Sequence, residues 1–329
     1  MIRFFSGNNP LNVLILFFLG ILIKLPNFLV PVIPNETVTD GFLYVALLNL
    51  LRHPAIYFPL LYPILSYLLL FTQAVTFNGL VNRQKLFQQP NYLVAFAYIL
   101  LTSLVPAWNV LSPGLIINTI MVYAWPSMVG LYNHSKPGGQ LFNIGFGFAI
   151  CSFFYFPAIL FWILLIAALI IFRPVVITEW LIALLGALTP FYFLLVYLYV
   201  WDHWSLLPAM FPGFRFRIPS LHFDWKFWVP FLLLNLPLVV GLYFSFQHSG
   251  RLLVHVRKSW SFMLFYLLTA LLMPFLNNDG GYSQFIIALV PVSLFYASFF
   301  YFPRKKGGPG LVVWLSILWI SINYFVFHG

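Results

Sequence analysis

The chain has very few carboxylates. Asp and Glu together number 6 in 329 residues, and only 7% of all residues are charged, against roughly 25% in a soluble domain. Hydrophobic residues make up 62% of the sequence, and the mean hydropathy is +0.96. This composition excludes an ordinary soluble domain and predicts an integral membrane protein.

Cysteine and the common sequence motifs of soluble enzymes are also scarce. The single cysteine, Cys151, excludes an intrachain disulfide and a cysteine-rich zinc site. The sequence contains no P-loop, no serine nucleophile elbow and no dinucleotide fingerprint. The stretches "WDHW" and "HFDW" pair His with Asp but lack the spacing of a metalloprotease site. We therefore expect no cofactor, no metal site and no nucleic-acid partner.

Long apolar runs recur from residue 11 to residue 327, and a helix needs about 20 such residues to cross the hydrocarbon core. They predict an all-α polytopic transmembrane helix bundle that forms a single domain over 1–329, with no separate soluble domain. Helix pairs around "NVLSPG" and Pro157 have a second interpretation as bent or re-entrant segments. About eleven spans are expected, at 11–31, 55–76, 92–108, 114–131, 141–156, 157–172, 181–200, 227–246, 261–276, 282–302 and 311–327.

Lys and Arg are distributed unevenly between alternate loops. With the N-terminus in the cytoplasm, 11 basic residues lie inside and Arg52, Arg215, Arg217 and Lys226 lie outside. Basic loops are retained in the cytoplasm, so we predict a cytoplasmic N-terminus and a C-terminus on the outer side of the membrane. The outer loops then cover about 32–54, 201–226 and 277–281. These loops contain all the acidic residues except Glu179.

The first outer loop contains "ETVTDGFLY", residues 36–44, directly after the first apolar run. An apolar run of about ten residues follows and ends at Arg52, which predicts a helix on the membrane surface. Thr39 or Asp40 would be the N-cap of this helix. Asp40 therefore has a structural interpretation as a cap and a functional one as a reactive carboxylate.

This loop resembles the first outer loop of the C-type (GT-C) glycosyltransferases, which take sugars from polyprenyl-phosphate carriers. Asp40 and Tyr44 match an acidic residue followed four positions later by Tyr, but Gly41 stands where Glu is usual, and Glu36 lies upstream. A late segment, "NNDGGYSQFIIALVP", is similar to the superfamily's "RYLLPALP" segment, with Tyr282 as the matching Tyr. The resemblance implies catalytic roles for Asp40 and Glu36.

Five further residues are candidates for substrate binding together with Tyr44. Arg215 and Arg217 lie two residues apart in the long outer loop. They are candidates because a guanidinium group binds phosphate through two donors; alternatively, they bind lipid headgroups or the loop itself. Lys24 lies within the first span, where an ionisable group suggests function and snorkelling to the interface is the alternative. Asp279 and Tyr282 come from the late loop.

The opening "FFSGNNPLNVLILFFLGILIKLP" is typical of an uncharacterised polytopic family from Bacteroidota, which the whole chain resembles. The resemblance implies that the membrane is a bacterial inner membrane and that the C-terminus is periplasmic. The expected function is a glycosyltransferase-like protein that acts on a polyprenyl-phosphate-linked sugar or glycan at the outer face of the inner membrane. One alternative is a non-catalytic membrane subunit of a cell-envelope complex with a membrane protein partner, and another is a transporter or flippase. Gly139, Gly145 and Gly147 predict close helix packing.

Overall fold

The computed structural model describes residues 1–37, 40–133, 136–210, 216, 225–250, 252–276, 283–303, 305 and 307–327. Its regular elements are helices, and the described residues contain no named strand. The helices are α1 Ile2–Phe5, α2 Leu11–Ile23, α3 Leu25–Leu29, α4 Phe42–Tyr57, α5 Leu61–Arg83, α6 Leu93–Ser103, α7 Pro113–Gly130, α8 Gly138–Phe154, α9 Phe161–Phe172, α10 Ile177–Val200, α11 Leu207–Met210, α12 Trp225–Ser249, α13 Val254–Leu272, α14 Leu289–Tyr301 and α15 Gly307–Phe327. Short 3-10 helices cover Pro106–Asn109, Leu131–Asn133, Phe156–Leu160, Trp204–Leu206, Met273–Phe275 and Ser283–Ala288.

The all-α class is confirmed, and a helix occupies each of the eleven predicted spans. Six helices among the described residues are long and apolar enough to cross a membrane. Four other apolar helices have only 10–17 residues. The number of eleven spans therefore stays a prediction, and so does the direction in which the bundle is inserted.

The centre of the bundle is formed by α6, which is buried along its whole length. α14 packs against it, and nearly all of α14 is buried as well. α5 packs against α6, and α12 and α13 pack against α14, while α10, α12 and α15 expose broad apolar surfaces. Apolar exposed faces on the outer helices and a filled centre are what a lipid environment requires.

Segments predicted to lie on one side of the membrane meet at one end of the bundle. The Tyr92 N–H donates to the Phe5 carbonyl at 2.9 Å, and the Gln89 N–H donates to the Tyr301 hydroxyl at 3.2 Å. Lys258 lies 4.9 Å from the centre of the Tyr132 ring. We call this the basic end, because Lys258 lies there and Arg3, Arg83 and Lys85 are close in sequence to the residues that make these contacts.

Glycines permit two close helix contacts in α8 and α10. A Cβ on Gly145 would lie 2.3 Å from the Ala183 oxygen, and one on Gly186 would lie 2.2 Å from the Phe142 oxygen. The packing prediction is thus confirmed for Gly145. It is wrong for Gly139 and Gly147, where a Cβ would meet nothing closer than 3.8 Å.

Arg173 and Glu179 connect the end of α9 to the start of α10. The Arg173 Nε donates to the Glu179 Oε2 at 3.0 Å, and a second guanidinium nitrogen contacts Oε1. The guanidinium neutralises the acidic residue that the sequence places alone on the cytoplasmic side. Glu179 therefore has a structural partner.

Candidate functional site

A cavity of about 360 Å³ lies at the end of the bundle opposite the basic end. Its walls come from the loop after α3, the start of α4, the stretch between α6 and α7, the start of the Ser283–Ala288 helix and the end of α15. The polar residues that line it are Asn27, Asn35, Thr37, Asp40, Tyr44, Ser112, Ser283, Gln284 and Tyr324. A larger groove of about 430 Å³, lined by Phe191, Leu194, Leu195, Leu207 and Pro208, offers apolar side chains.

Short helices create the space for this cavity. α6 has 11 residues and is therefore about 16 Å long, roughly half of the hydrocarbon thickness. The chain then continues through the Pro106–Asn109 turn and re-enters a helix at Pro113, where Ser112 caps α7 by accepting the Leu115 N–H. Irregular backbone at such depth is tolerated where it is buried in protein or lines an aqueous cavity.

Asp40 lies partly buried on the cavity wall. Its Oδ2 accepts the Thr37 N–H at 2.8 Å. Its Oδ1 is buried, and within the described part of the chain no group donates to it. Burial raises the pKa of the Asp40 carboxyl above its usual value, and the nearby Glu36 charge adds to that effect, although hydrogen bonds from Thr37 oppose it.

The Asp40 loop docks on the C-terminal end of α8. The Gly41 N–H donates to the Phe154 carbonyl at 2.8 Å, and Asp40 forms an isolated antiparallel bridge with Tyr155. A Cβ on Gly41 would lie only 2.0 Å from the Phe153 oxygen. Position 41 therefore accepts glycine and excludes the larger Glu of the GT-C pattern.

Two predictions about this loop are wrong. The N-cap of α4 is Gly41 and not Asp40, because the Asp40 carboxylate turns back to Thr37; Thr39, the other candidate, lies outside the described residues. α4 also continues past Arg52 to Tyr57, through Pro54. Proline removes a single helical N–H, and the following turn still closes through the Phe58 N–H to the Pro54 carbonyl at 3.0 Å.

Tyr44 is fully packed on the buried face of α4. Its side chain is 1% exposed, and its hydroxyl donates to the Leu111 carbonyl at 2.8 Å. This hydrogen bond attaches α4 to the irregular stretch before α7. Tyr44 lines the cavity next to Asp40, but its O–H is already occupied by a backbone partner.

Lys24, at the end of α2, points into the protein and is only 3% exposed. Its Nζ donates to the Thr102 Oγ1 at 3.0 Å and also to the Asn109 Oδ1. Because the amine is enclosed by protein groups, the snorkelling alternative is wrong. Lys24 lines a smaller cavity of about 30 Å³, which has Pro26, Asn27, Pro106 and Tyr324 in common with the main one.

The remaining candidates do not all meet at this site. Glu36 is exposed and does not line the cavity. Arg215, Arg217, Asp279 and Tyr282 lie outside the described residues. Their proposed roles stay predictions.

Gln284 is a cavity residue that sequence reasoning missed. It is 2% exposed, and no described group donates to its Oε1. The Asn118 amide holds the same stretch by donating to the Ile286 carbonyl at 2.8 Å. A single amide in "YSQFIIALVP" is a weak sequence signal, because its position on the cavity wall depends on the packing of α7.

The family described as "Family of unknown function (DUF6427)" matches residues 38–328. The match covers most of the chain, so the protein belongs to this family. It includes Asp40 and Tyr44 and begins after Lys24. No curated protein and no solved structure matches the chain.

Proposed function

We propose that this member of the DUF6427 family is a GT-C-like glycosyltransferase that uses a polyprenyl-phosphate-linked sugar or glycan at the outer face of the bacterial inner membrane. The observation that supports it best is Asp40, a partly buried carboxylate with a raised pKa on the wall of a cavity of about 360 Å³. A cavity of this size lies in the range of small-molecule sites, about 300–1,000 Å³. Walls that combine apolar residues with nine polar ones suit an amphipathic donor.

In the proposed reaction, Asp40 removes the proton of the acceptor hydroxyl as a general base. The acceptor oxygen forms a bond to the sugar C1, the bond from C1 to the carrier phosphate oxygen breaks, and the proton remains on Asp40. A pKa closer to the working pH favours such a base, and general base catalysis contributes typically 10²–10⁴-fold. The departing phosphate needs cations, for which Lys24, Arg215 and Arg217 are the candidates.

The experiment compares lipid extracts of a deletion strain complemented with wild-type protein, Asp40→Asn or Asp202→Asn. Asp202 is an exposed carboxylate on a predicted outer loop, away from the cavity lining, and Asn tolerates its positive φ of 52°. We expect the polyprenyl-phosphate-linked sugar to accumulate without the protein and with Asp40→Asn, and to return to its normal level with Asp202→Asn. Purified wild-type protein should then release polyprenyl phosphate at least about 10²-fold faster than Asp40→Asn.

Equal rates for wild-type protein and Asp40→Asn would remove Asp40 from catalysis. A stoichiometric membrane partner that copurifies with the chain, without any bound lipid-linked sugar, would instead support the non-catalytic subunit.

A further inference from the structure

Lys24 has a buried amine without an anionic partner among the described residues. Its two hydrogen-bond partners, Thr102 and Asn109, are neutral. The Thr102 hydroxyl donates to the Tyr98 carbonyl at 2.9 Å, so its oxygen is free to accept from Lys24. The Lys24 amine is therefore the donor in both contacts, and an ammonium group has one further donor.

The surroundings would compensate a positive charge on this amine only in part. Lys24 is the C-cap of α2, where the partial negative charge at a helix C-terminus favours a cation. That effect is small compared with the cost of burying an isolated ammonium, because buried charges are normally paired. An ionisable group at membrane depth is by default a functional group whose partner must be identified.

The position of Lys24 indicates where such a partner would enter. The cavity of about 30 Å³ at Lys24 has room for one small group, and four of its lining residues also line the main cavity. Its lining includes the polar residues Asn109 and Ser103 and the apolar Ile320 of α15. A ligand in the main cavity can therefore place an oxygen beside the amine while the rest of it extends toward Asp40.

We infer that Lys24, positioned by Thr102 and Asn109, forms a phosphate-binding subsite for the occupant of the main cavity. The inference rests on the proposed function for the identity of that occupant as a lipid phosphate, whereas a free phosphate would use the same donors. It places the phosphate at the α2 end of the cavity and the group to be transferred at the Asp40 end. A phosphate bound there would supply the counterion that an ammonium at Lys24 requires.

The test measures binding of three probes to purified protein in detergent: farnesyl phosphate, the neutral alcohol farnesol and inorganic phosphate. The variants are Lys24→Met, which removes the amine and shortens the side chain by one heavy atom, and Lys24→Arg, which keeps a basic group. Lys136→Met is the matched control, since Lys136 is exposed and does not line the cavity. Thermal unfolding without ligand confirms that each variant is folded.

We expect farnesyl phosphate to bind the wild type and Lys136→Met equally. Lys24→Met should lose at least about tenfold in affinity, which is ~1.4 kcal/mol, and Lys24→Arg should lose less. If farnesyl phosphate binds and inorganic phosphate does not, the ligand is a lipid phosphate. If inorganic phosphate binds equally well, the ligand is a free phosphate. Equal binding to Lys24→Met and wild type, or binding of farnesol as tight as that of its phosphate, would overturn the inference.

Failure of the proposed function gives a different result from failure of the subsite. Asp40→Asn should still bind farnesyl phosphate as the wild type does, even if no transferase activity exists. If Lys24→Met has normal transferase activity and unchanged affinity for farnesyl phosphate, the subsite is refuted and the proposed function is retained.

Discussion

Gly41→Ala tests how the Asp40 loop is held against α8. Gly41 has φ −75° and ψ 156°, an extended conformation that any residue adopts, so the substitution adds no backbone strain. The added Cβ would lie 2.0 Å from the Phe153 oxygen and 2.7 Å from the Phe154 carbonyl carbon. Both are backbone atoms at the end of a helix, so the loop itself must move.

The expected loss of stability follows from these contacts. Overpacking in a close contact costs typically 1–3 kcal/mol. Moving the loop also stretches the 2.8 Å hydrogen bond from the Gly41 N–H to the Phe154 carbonyl, which is worth about 0.5–1.5 kcal/mol. We expect Gly41→Ala to lower the free energy of unfolding by about 2–4 kcal/mol.

The measurement is reversible unfolding in mixed micelles, with Gly79→Ala as the control. Gly79 lies inside α5, and a Cβ there would meet no atom within 4 Å. Alanine is the better helix former by about 1 kcal/mol, so the control should be as stable as the wild type or more stable. If Gly41→Ala and Gly79→Ala unfolded with equal free energies, the tight docking of the loop would be refuted.

Three further predictions concern pH, the buried polar network and topology. Burial raises the pKa of Asp40, so between its ordinary and its raised pKa the folded protein binds more protons than the unfolded one. The free energy of unfolding therefore falls as pH rises through that window. When unfolding is measured at a series of pH values, Asp40→Asn should flatten this fall. Gln73→Leu removes three hydrogen bonds, two that the amide donates to α7 and one that it accepts from the Tyr98 hydroxyl. The change should cost about 1–2 kcal/mol in the same unfolding assay, and no loss would show that the network adds no stability. In right-side-out vesicles, an impermeant maleimide should label Arg52→Cys before lysis and Lys85→Cys only after lysis. Cys151 is 0% exposed and should not be labelled in either case. The reverse order of labelling would invert the predicted topology.

The sequence was sufficient to predict where the eleven main helices form, because each continuous apolar run is too long to be a loop. Leu61–Arg83 and Ile177–Val200 are examples, and both are long and apolar enough to span a membrane. The sequence did not distinguish these from Leu93–Ser103, which is equally apolar but short and wholly buried. Burial depends on the neighbours, and uniform apolar composition carries no information about them.

The candidate site was predictable only in part for a related reason. Asp40 and Tyr44 are close in sequence, and both line the cavity. The partners of Lys24, Thr102 and Asn109, lie 78 and 85 residues away, and no local pattern connects them. Gln284 reaches the same cavity from the far end of the chain.

The contact at Gly41 changes what the missing acid of the GT-C pattern means. A side chain at position 41 would enter the Phe153 carbonyl, so the docked loop cannot hold two adjacent carboxylates. Glu36 is exposed and does not replace the second acid in the cavity. Base catalysis at this site would therefore depend on Asp40 alone, and any second charged group must come from elsewhere in the fold. Lys24 is a candidate for that group, because its cavity and that of Asp40 have four lining residues in common.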